Sequence, residues 1–389
     1  MSFEKINSIG IIGSGAMGTG IAQVAATAGE NVILFDSNFS ALEKARSNLD
    51  STLKKLSEKG KISTDDAKNI FTRIQWANNL SDFKNCNLVI EAIVENMEVK
   101  QKVFSDLEKV VSDKCVLASN TSSLSITSIA SACTKPERVI GIHFFNPAPI
   151  LPLVEIIPTT FTEKSLSGNI KILLGNWKKI PVIAKDTPGF IVNRVARPFY
   201  GEAIRIYEEG FADFATIDWA MKEVGGFKMG PFELMDLIGN DVNYTVTETV
   251  WKQFFYDPKY KPSLTQKRLF EAKQFGKKSG KGYFDYSAPM PEPKKDKTLG
   301  EYIFLRVIAM LINEAADALY YEVATKEDID LAMTKGVNYP KGLLKWADEI
   351  GIEKILKELS DLYEKYNEDR YRPSVQLKKM VKEKNKFYE

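Results

Sequence analysis

A chain of 389 residues, of which 44% are hydrophobic, is long enough for two or three folded domains with sizeable cores. The 53 lysine and arginine residues nearly balance the 51 aspartate and glutamate residues, so the net charge of +2 gives no long-range field that would favour nucleic acid or a membrane surface. No apolar run is long enough to span a bilayer. We expect a protein with neither nucleic acid nor membrane as a partner.

The three cysteines, Cys86, Cys115 and Cys133, are odd in number and lack the spacing of zinc ligands. They fit reduced thiols, and no metal site is expected. A strand and a glycine-rich turn follow Met1 within about a dozen residues, which is too soon for a signal peptide. These features together predict a cytoplasmic protein.

The N-terminal region has the pattern strand, tight turn, helix and second strand, which opens a βαβ unit. Its turn is a GxGxxG motif, in which the first glycine permits the turn, the second lets a pyrophosphate approach, and the third allows close helix packing. The motif consists of Gly13, Ser14, Gly15, Ala16, Met17 and Gly18. Asp36 ends the next strand, where a carboxylate accepts hydrogen bonds from a ribose and repels a 2′-phosphate, so NAD is predicted rather than NADP.

Strands and helices continue to alternate up to about residue 186, which predicts a Rossmann-like, doubly wound α/β fold with a mostly parallel sheet. The character then changes at "KDTPGF", where Thr187 is the expected N-cap and Pro188 the expected first residue of a long helix. From that point we predict an all-α region.

The helical region contains an internal repeat. Residues 194–239 align without gaps on residues 306–351 at an offset of 112 positions, and helical periodicity alone does not predict identical Arg, Gly and Asp residues at one offset. We interpret this as a duplication, although two similar amphipathic segments could match by chance. The predicted domains are 1–186 for NAD binding, 187–287 for the first helical copy and 298–389 for a degenerate second copy, with the linker at 288–297.

His143 is the only histidine in the chain. A lone buried histidine is more often structural, but this one lies late in a predicted strand, and ligands of open α/β sheets gather beyond the carboxyl ends of strands. Glu155 follows in the next strand, where an antiparallel turn would bring its carboxylate to the imidazole and orient it as a base. Glu155 could also be an ordinary strand glutamate.

Two further polar groups are candidates for substrate or nicotinamide contacts. The segment "SNTSSLSI" puts hydroxyl groups at the end of a strand, although Ser122 or Ser123 could simply cap a helix. Asn193 lies inside the first long helix that the pattern predicts, where asparagine has no propensity reason to occur, and it could equally bridge the two domains.

In chain order, the motifs "GSGAMG", "EAIVENMEVK", "SNTSSL", "HFFNPAPILPLVEII", "KDTPGFIVNR", "MGPFELMDLIG" and "FGKKSGKGYFDY" resemble those of the L-3-hydroxyacyl-CoA dehydrogenase family, over residues 6 to about 286. The resemblance implies NAD-dependent, reversible oxidation of (S)-3-hydroxyacyl-CoA to 3-ketoacyl-CoA, the redox step of β-oxidation. It also implies an acyl-CoA substrate and NAD as cofactor.

The resemblance implies a role for each matched residue. His143 matches the catalytic histidine and Glu155 its carboxylate partner, while Ser122 and Asn193 match residues that position the substrate. The nicotinamide side of the cofactor site is matched by Glu95, Lys100, Asn120 and Ser122. Thr52 and Lys59 match coenzyme A contacts, although both would also fit an ordinary charged, solvated helix.

Short members of the family end near the equivalent of Tyr286 and pair through their helical domains, whereas this chain continues. Leu305 stands in the second repeat at the position of Asn193, and Leu343 at that of Pro231, so the second repeat is expected to hold no active site. We expect it to pack on the first as an internal imitation of a dimer partner. The chain would then be a monomer, or an oligomer through another surface.

Two other functions remain open from the sequence. A dehydrogenase of the gulonate type, acting on a sugar acid or a free hydroxyacid, would share the nucleotide domain and the His–Glu pair. A non-catalytic NAD-binding sensor would share only the fold.

Overall fold

The computed structural model describes residues 8–388. Residues 1–7, on which the prediction about a signal peptide rests, and Glu389 lie outside the described part. The chain divides into two compact units, with the boundary between Thr187 and Pro188. Within residues 8–388, no helix combines the length and the apolar character needed to cross a bilayer.

The first unit contains one eight-stranded sheet in the order β3-β2-β1-β4-β5-β6-β7-β8. All neighbouring strands are parallel except β6 and β7, which are antiparallel. The strands are β1 (Ile9–Ile12), β2 (Val32–Phe35), β3 (Ile74–Ala77), β4 (Leu88–Glu91), β5 (Val116–Ser119), β6 (Val139–Phe144), β7 (Leu153–Pro158) and β8 (Ile180–Ile183). The predicted Rossmann-like, mostly parallel sheet is therefore confirmed.

Helices cover both faces of a doubly wound sheet, and its central strands are accordingly apolar without alternation. Every residue of β1, β4 and β5 is buried. The helices of this unit are α1 (Ala16–Thr27), α2 (Phe39–Glu58), α3 (Thr64–Thr72), α4 (Met97–Glu108), α5 (Ile126–Ala130) and α6 (Lys164–Asn176). The carboxyl ends of β1, β4, β5 and β6 thus open at one edge, where the candidate site residues follow.

The second unit is helical, but its start differs from the prediction. Gly189 and Phe190 have positive φ values of 74° and 47°, which a right-handed helix cannot accommodate. Thr187 and Pro188 therefore do not begin a helix as predicted, and the first helical turn starts at Val192.

Asn193 lies in this four-residue helix and not in a long one. The long helix that follows begins at Arg197, and Pro198 at its second position has no N–H group to continue the preceding turn. The helices of this unit are α7 (Val192–Val195), α8 (Arg197–Glu208), α9 (Phe214–Trp219), α10 (Pro231–Ile238), α11 (Asn240–Gln253), α12 (Leu264–Glu271), α13 (Lys297–Tyr320), α14 (Lys326–Gly336), α15 (Leu343–Ile350), α16 (Ile352–Tyr366) and α17 (Val375–Glu383).

The two repeat segments share local structure at the 112-residue offset. Asp218 accepts hydrogen bonds from the N–H groups of Phe232 and Glu233 at the start of α10, and Asp330 accepts from the first-turn N–H groups of α15 in the same way. Gly239 and Gly351, with φ values of 103° and 98°, each precede the next helix. Helix α13 begins at Lys297 after an Asp296 cap, so the predicted linker ends slightly earlier than expected.

Buried ion pairs join the two repeat segments reciprocally. Arg194 Nε donates to Glu314 Oε1 at 2.6 Å, and Arg306 Nε donates to Glu202 Oε1 at 2.6 Å. Arg306 and Glu314 stand 112 positions after Arg194 and Glu202, so each segment provides the same arginine and the same glutamate to the other.

Two tyrosine hydroxyls also bind the glutamates of these ion pairs. The Tyr260 hydroxyl donates to Glu314 at 2.6 Å, and the Tyr371 hydroxyl donates to Glu202 at 2.8 Å. Burial alone would lower the pKa of the Arg194 guanidinium, but the Glu314 carboxylate raises it above its ordinary value. At this contact each buried arginine of one repeat segment is therefore paired with a glutamate of the other segment.

Replacing Arg306 with methionine should destabilise the helical unit strongly. Glu202 would stay buried without its hydrogen-bonded cation, with only Arg370 left at 3.9 Å, and breaking such a pair costs about 3–5 kcal/mol of unfolding free energy. Urea denaturation followed by circular dichroism measures the change. As a control, Lys357→Met removes an exposed partner of Asp361 and should cost less than about 1 kcal/mol. Equal effects of the two substitutions would contradict the importance of the buried pair.

Candidate active site

Each of the three glycines in the turn between β1 and α1 is needed for a different structural reason. Gly13 has a φ of +98°, and a Cβ atom there would lie 2.5 Å from the Ala92 carbonyl oxygen. A Cβ atom on Gly18 would lie 1.8 Å from the Gly13 oxygen, so the helix could not approach the strand. A Cβ atom on Gly15 would meet no protein atom within 4 Å. Packing thus requires the first and third glycines, while open space for a ligand explains the second.

Asp36 lies beside this turn, immediately after β2. Its Oδ2 atom accepts hydrogen bonds from the Ser14 N–H and hydroxyl, both at 2.8 Å, and its Oδ1 atom accepts from the Asn38 N–H at 2.9 Å. Partial burial opposes ionisation, but these donors lower the pKa of Asp36 below its ordinary value. A fixed negative charge therefore stands at the position that predicts recognition of an adenosine ribose.

A cavity of about 1160 Å³ opens over the turn, and all of its lining residues belong to the first unit. Its size suits a dinucleotide, since drug-sized ligands occupy about 300–1,000 Å³. Of the predicted cofactor residues, it is lined by Gly13, Ser14, Gly15, Ala16, Met17 and Asp36. The lining also includes Lys44, Asn48 and Thr52 of α2, and Asn146, Pro147 and Pro149 of the turn after β6.

Lys100 is buried beneath the loops that follow β4 and β5. Its ammonium donates to Glu91 Oε1 at 2.5 Å and lies 3.4 Å from Glu95 Oε2. Burial opposes ionisation of Glu95, but Lys100 and the hydroxyls of Thr121 and Ser123 lower its pKa. Lys100 is therefore an internal counter-ion of two carboxylates rather than an exposed ligand group.

The segment from Ser119 to Ile126 is held by carboxylates at both ends. Glu95 accepts from the Ser122 N–H at 3.2 Å, and Asp186 accepts from the N–H groups of Ile126 and Thr127 at 3.1 and 2.7 Å. The α5 helix is capped by Ser125, and not by Ser122 or Ser123 as one interpretation of the sequence allowed. The capping interpretation therefore does not explain Ser122.

His143 and Glu155 face each other directly across the antiparallel pair β6 and β7. The Nδ1 atom of His143 lies 2.8 Å from Glu155 Oε2, and both side chains are buried. The contact predicted across the "NPAPILP" turn is therefore present. A carboxylate on Nδ1 fixes the imidazole and directs Nε2 away from the pair.

The other predicted residues occupy varied positions. Asn120 Oδ1 accepts the Phe144 N–H at 2.8 Å and so joins the ends of β5 and β6. Thr52 lines the cavity, whereas Lys59 is the exposed C-cap of α2 and does not. Gly18 lies behind the turn, and Asn193 belongs to the second unit.

Sequence reasoning missed four residues that support the site. Glu91 pairs with Lys100, Asp186 holds α5, and Asn146 lines the cavity. The buried ammonium of Lys179 donates to the carbonyl oxygens of Ala148 and Leu151, at 2.5 and 2.9 Å, and so holds the turn after His143. A glutamate ending an otherwise apolar strand was the available signal for Glu91. Lys179 gave no such signal, because only the folded turn places it.

Family models match the chain over nearly its whole length. The model described as the NAD binding domain of 3-hydroxyacyl-CoA dehydrogenase matches residues 8–187. The model of the C-terminal domain of the same enzyme matches residues 189–286 and 302–387. The chain belongs to the 3-hydroxyacyl-CoA dehydrogenase family.

Individual relatives agree with this membership. The chain is 35% identical to 3-hydroxyadipyl-CoA dehydrogenase of Escherichia coli, over 96% of this chain and 97% of the relative. It is 40% identical to human mitochondrial hydroxyacyl-coenzyme A dehydrogenase, over 72% and 91% of the two chains. The crystal structure of 3-hydroxybutyryl-CoA dehydrogenase from E. coli superposes with a TM-score of 0.93, at 34% identity, over 97% of this chain and 98% of that chain.

The protein is therefore an oxidoreductase with NAD-dependent 3-hydroxyacyl-CoA dehydrogenase activity, as its family and relatives indicate. The turn, the cavity and Asp36 fit the cofactor. NAD supplies the hydride acceptor when bound. The chain itself supplies the pocket, the fixed charges and the buried imidazole.

Asp36→Ala should weaken the preference for NAD over NADP. The substitution removes both the acceptor for ribose hydroxyls and the charge that repels a 2′-phosphate. We expect the ratio of kcat/KM for NAD to that for NADP to fall at least about tenfold. Asp50→Ala, which removes an exposed carboxylate of α2, is the matched control and should leave the ratio unchanged. An unaltered ratio in Asp36→Ala would show that another group selects the cofactor.

Proposed function

We propose that His143 is the general base for oxidation of the substrate hydroxyl and the general acid in the reverse reaction. The contact with Glu155 at 2.8 Å supports this role most directly, because it orients the ring through Nδ1. In oxidation, Nε2 would take the proton of the C3 hydroxyl, and NAD, when bound, would supply the hydride acceptor. In reduction, the imidazolium returns the proton to the forming hydroxyl.

Glu155 is proposed as a positioning residue for that imidazole. Its side chain is fully buried, and an ionised carboxylate in such surroundings stabilises the imidazolium that forms during oxidation. The opposed positions on two strands hold the pair without a flexible loop.

Ser122 and Asn193 are proposed to contact the substrate oxygen and thioester. The loop of Ser122 is fastened by Glu95 and Asp186, which supports a fixed position for its hydroxyl. Asn193 is supported by its place in a short helix whose backbone geometry is set by Gly189, Phe190 and Pro198. Both residues would have little freedom left to lose on binding.

Glu95, Lys100 and Asn120 are proposed to shape the nicotinamide side of the cofactor site. Glu95 bonds to three consecutive residues of the loop after β5, and Lys100 holds Glu95 from beneath. Lys100 therefore acts through the carboxylates and not by direct contact. Asn120 acts by keeping the β6 end, and thus His143, in register.

The substrate is proposed to be an (S)-3-hydroxyacyl-CoA. Thr52 on the cavity wall is the better-supported of the two predicted coenzyme A contacts, since Lys59 lies outside the lining. The E. coli protein that matches nearly the whole chain is named for 3-hydroxyadipyl-CoA. An adipyl chain has six carbons and a second carboxylate at its far end, and we include such dicarboxylic acyl chains among the candidate substrates.

The second helical segment is proposed to act as a built-in dimer partner. The reciprocal pairs Arg194–Glu314 and Arg306–Glu202 support this, because an interface between identical partners exchanges the same contacts twice. The separate matches of residues 189–286 and 302–387 to one family model also favour a duplication. The chain would then function as a monomer, or assemble through another surface.

We propose a cytoplasmic location for this chain because its three cysteines are present as free thiols. Cys86, Cys115 and Cys133 are buried and form no disulfide. Burial raises the pKa of Cys86 to about 11, so its thiol stays protonated and unreactive at neutral pH.

His143→Gln should abolish most of the turnover without preventing cofactor binding. Loss of general acid–base catalysis lowers kcat by about 10²- to 10⁴-fold. The assay is NADH oxidation with acetoacetyl-CoA, and NADH binding is followed separately by fluorescence titration. An unimpaired variant would overturn the role of His143. Turnover of free acetoacetate but not of the thioester by the wild type would favour the gulonate-type alternative, and no turnover of any substrate would favour a sensor.

A chain ending at residue 287 should form dimers, because it retains both Arg194 and Glu202 and can satisfy each with a second copy. Analytical ultracentrifugation would show a dimer of the shortened chain. Arg194→Met in the same shortened chain should favour the monomer. A stable monomer of the unmodified shortened chain would contradict the built-in partner.

A further inference from the structure

Lys44 of α2 is a basic residue on the wall of the cavity that opens over the glycine-rich turn. Among the described residues that line this cavity, Lys44 is the only lysine or arginine and Asp36 the only carboxylate. The Asp36 carboxylate already accepts hydrogen bonds from Ser14 and Asn38. Within residues 8–388, no carboxylate lies within salt-bridge distance of the Lys44 ammonium. The cavity wall therefore carries one positive charge that the protein does not neutralise.

The sequence of α2 explains why Lys44 has no ion pair. Side chains three or four residues apart on a helix are neighbours, and an acidic residue at such a spacing pairs with a lysine. Lys54 of the same helix has such a partner, since its ammonium lies 2.6 Å from Asp50. The corresponding neighbours of Lys44 are all uncharged: Ser40, Ala41, Ser47 and Asn48.

Two further polar side chains lie on the cavity face of α2. Lys44, Asn48 and Thr52 are four residues apart from one another, and all three line the cavity. At a rise of about 1.5 Å per residue they form a row of about 12 Å along the helix. An ammonium and an amide both donate hydrogen bonds, so this row offers donors and a positive charge to a ligand in the cavity.

The N-terminus of α1 opens into the same cavity. Its N-cap residue is Gly15, no side chain caps its first N–H groups, and its first turn contains no acidic residue. Gly15, Ala16 and Met17 line the cavity. The N-terminus of a helix attracts anions, because its N–H groups and the helix dipole both favour negative charge. Lys44 and this helix terminus therefore present two separate positive features to one cavity, which suits a ligand with more than one phosphate group.

We propose that Lys44 binds a phosphate group of a nucleotide in this cavity and so sets the affinity for that nucleotide. The inference rests on the proposed acyl-CoA substrate as well as on NAD, since both ligands carry phosphates. NAD contains a pyrophosphate, and coenzyme A contains a pyrophosphate and a 3′-phosphate. A lysine suits this role because its ammonium is a compact charge on a flexible stem and binds phosphate as a point charge.

The experiment measures dissociation constants by isothermal titration calorimetry for NADH, coenzyme A, 3′-dephospho-coenzyme A and pantetheine, which has no phosphate. Lys44→Met should weaken binding of NADH or of coenzyme A by about 5- to 20-fold and leave pantetheine binding unchanged. Lys44→Arg keeps the charge and should retain most of the affinity. Lys44 is exposed, so its substitution removes no core packing.

The pattern of losses identifies the source of the phosphate. A loss confined to NADH assigns Lys44 to the cofactor pyrophosphate. A loss for coenzyme A that is absent for 3′-dephospho-coenzyme A assigns it to the 3′-phosphate, and equal losses for these two ligands assign it to their pyrophosphate. In each case a higher salt concentration should narrow the difference between wild type and Lys44→Met, because salt screens an exposed ion pair.

The matched control is Lys54→Met, since Lys54 is an exposed lysine of the same helix that pairs with Asp50 and is not among the lining residues. Its four dissociation constants should equal those of the wild type. Unchanged binding of both NADH and coenzyme A in Lys44→Met, or an equal loss for pantetheine, would overturn the role of Lys44. A wild type that binds NADH but does not turn over acetoacetyl-CoA would instead overturn the proposed function, and the NADH titration would still test Lys44.

Discussion

The antiparallel pairing of β6 with β7 is the constraint on which the contact between His143 and Glu155, and with it the proposed catalytic arrangement, depends. It is the one antiparallel neighbour pair of the described sheet, and its register sets His143 opposite Glu155. If β6 and β7 were parallel, a crossover of a dozen or more residues, usually a helix, would have to connect them. A short turn instead brings them together, and Lys179 holds that turn by two carbonyl oxygens. The imidazole is thus oriented by strand register, which is more rigid than a loop.

The remaining parts of the nucleotide unit converge on the same edge of the sheet. The glycine turn after β1 gives space for a cofactor, Asp36 after β2 provides a fixed negative charge, and Glu91 at the end of β4 pairs with Lys100. Glu91 and Glu95 share the ammonium of Lys100, so burial does not leave either carboxylate without a donor. Preorganised charges of this kind need no reorganisation when the reaction proceeds.

The helical unit combines a symmetric contact between its two repeat segments with differences in the side chains inside each segment. The Arg194–Glu314 and Arg306–Glu202 pairs repeat one interaction in both directions, and each is too deeply buried to lose a partner cheaply. Away from that contact the two segments differ. For example, the position that Arg197 occupies in the first segment is occupied by Ala309 in the second. The second segment thus keeps the Arg–Glu ion pairs but has different side chains inside. This is expected of a segment whose role is to support the first.

The sequence by itself determined the fold class and the cofactor and predicted the contact between His143 and Glu155, because glycine spacing, strand-end carboxylates and a single histidine are local signals. It also indicated the repeat through identities at one offset. The start of the helical unit was predicted wrongly, because the positive φ values of Gly189 and Phe190 depend on the path of the folded chain and not on the helix-start pattern at Thr187 and Pro188.

Only the tertiary structure decided which buried charges have partners. The sequence could not distinguish Arg194, which meets Glu314 across 120 positions, from Arg197, which meets no carboxylate among the described residues. The family resemblance matched Lys100 to the nicotinamide side of the cofactor site, and only the fold shows that its buried ammonium pairs with Glu91. Pairing between distant positions depends on how helices and strands pack, and neither composition nor periodicity records that packing.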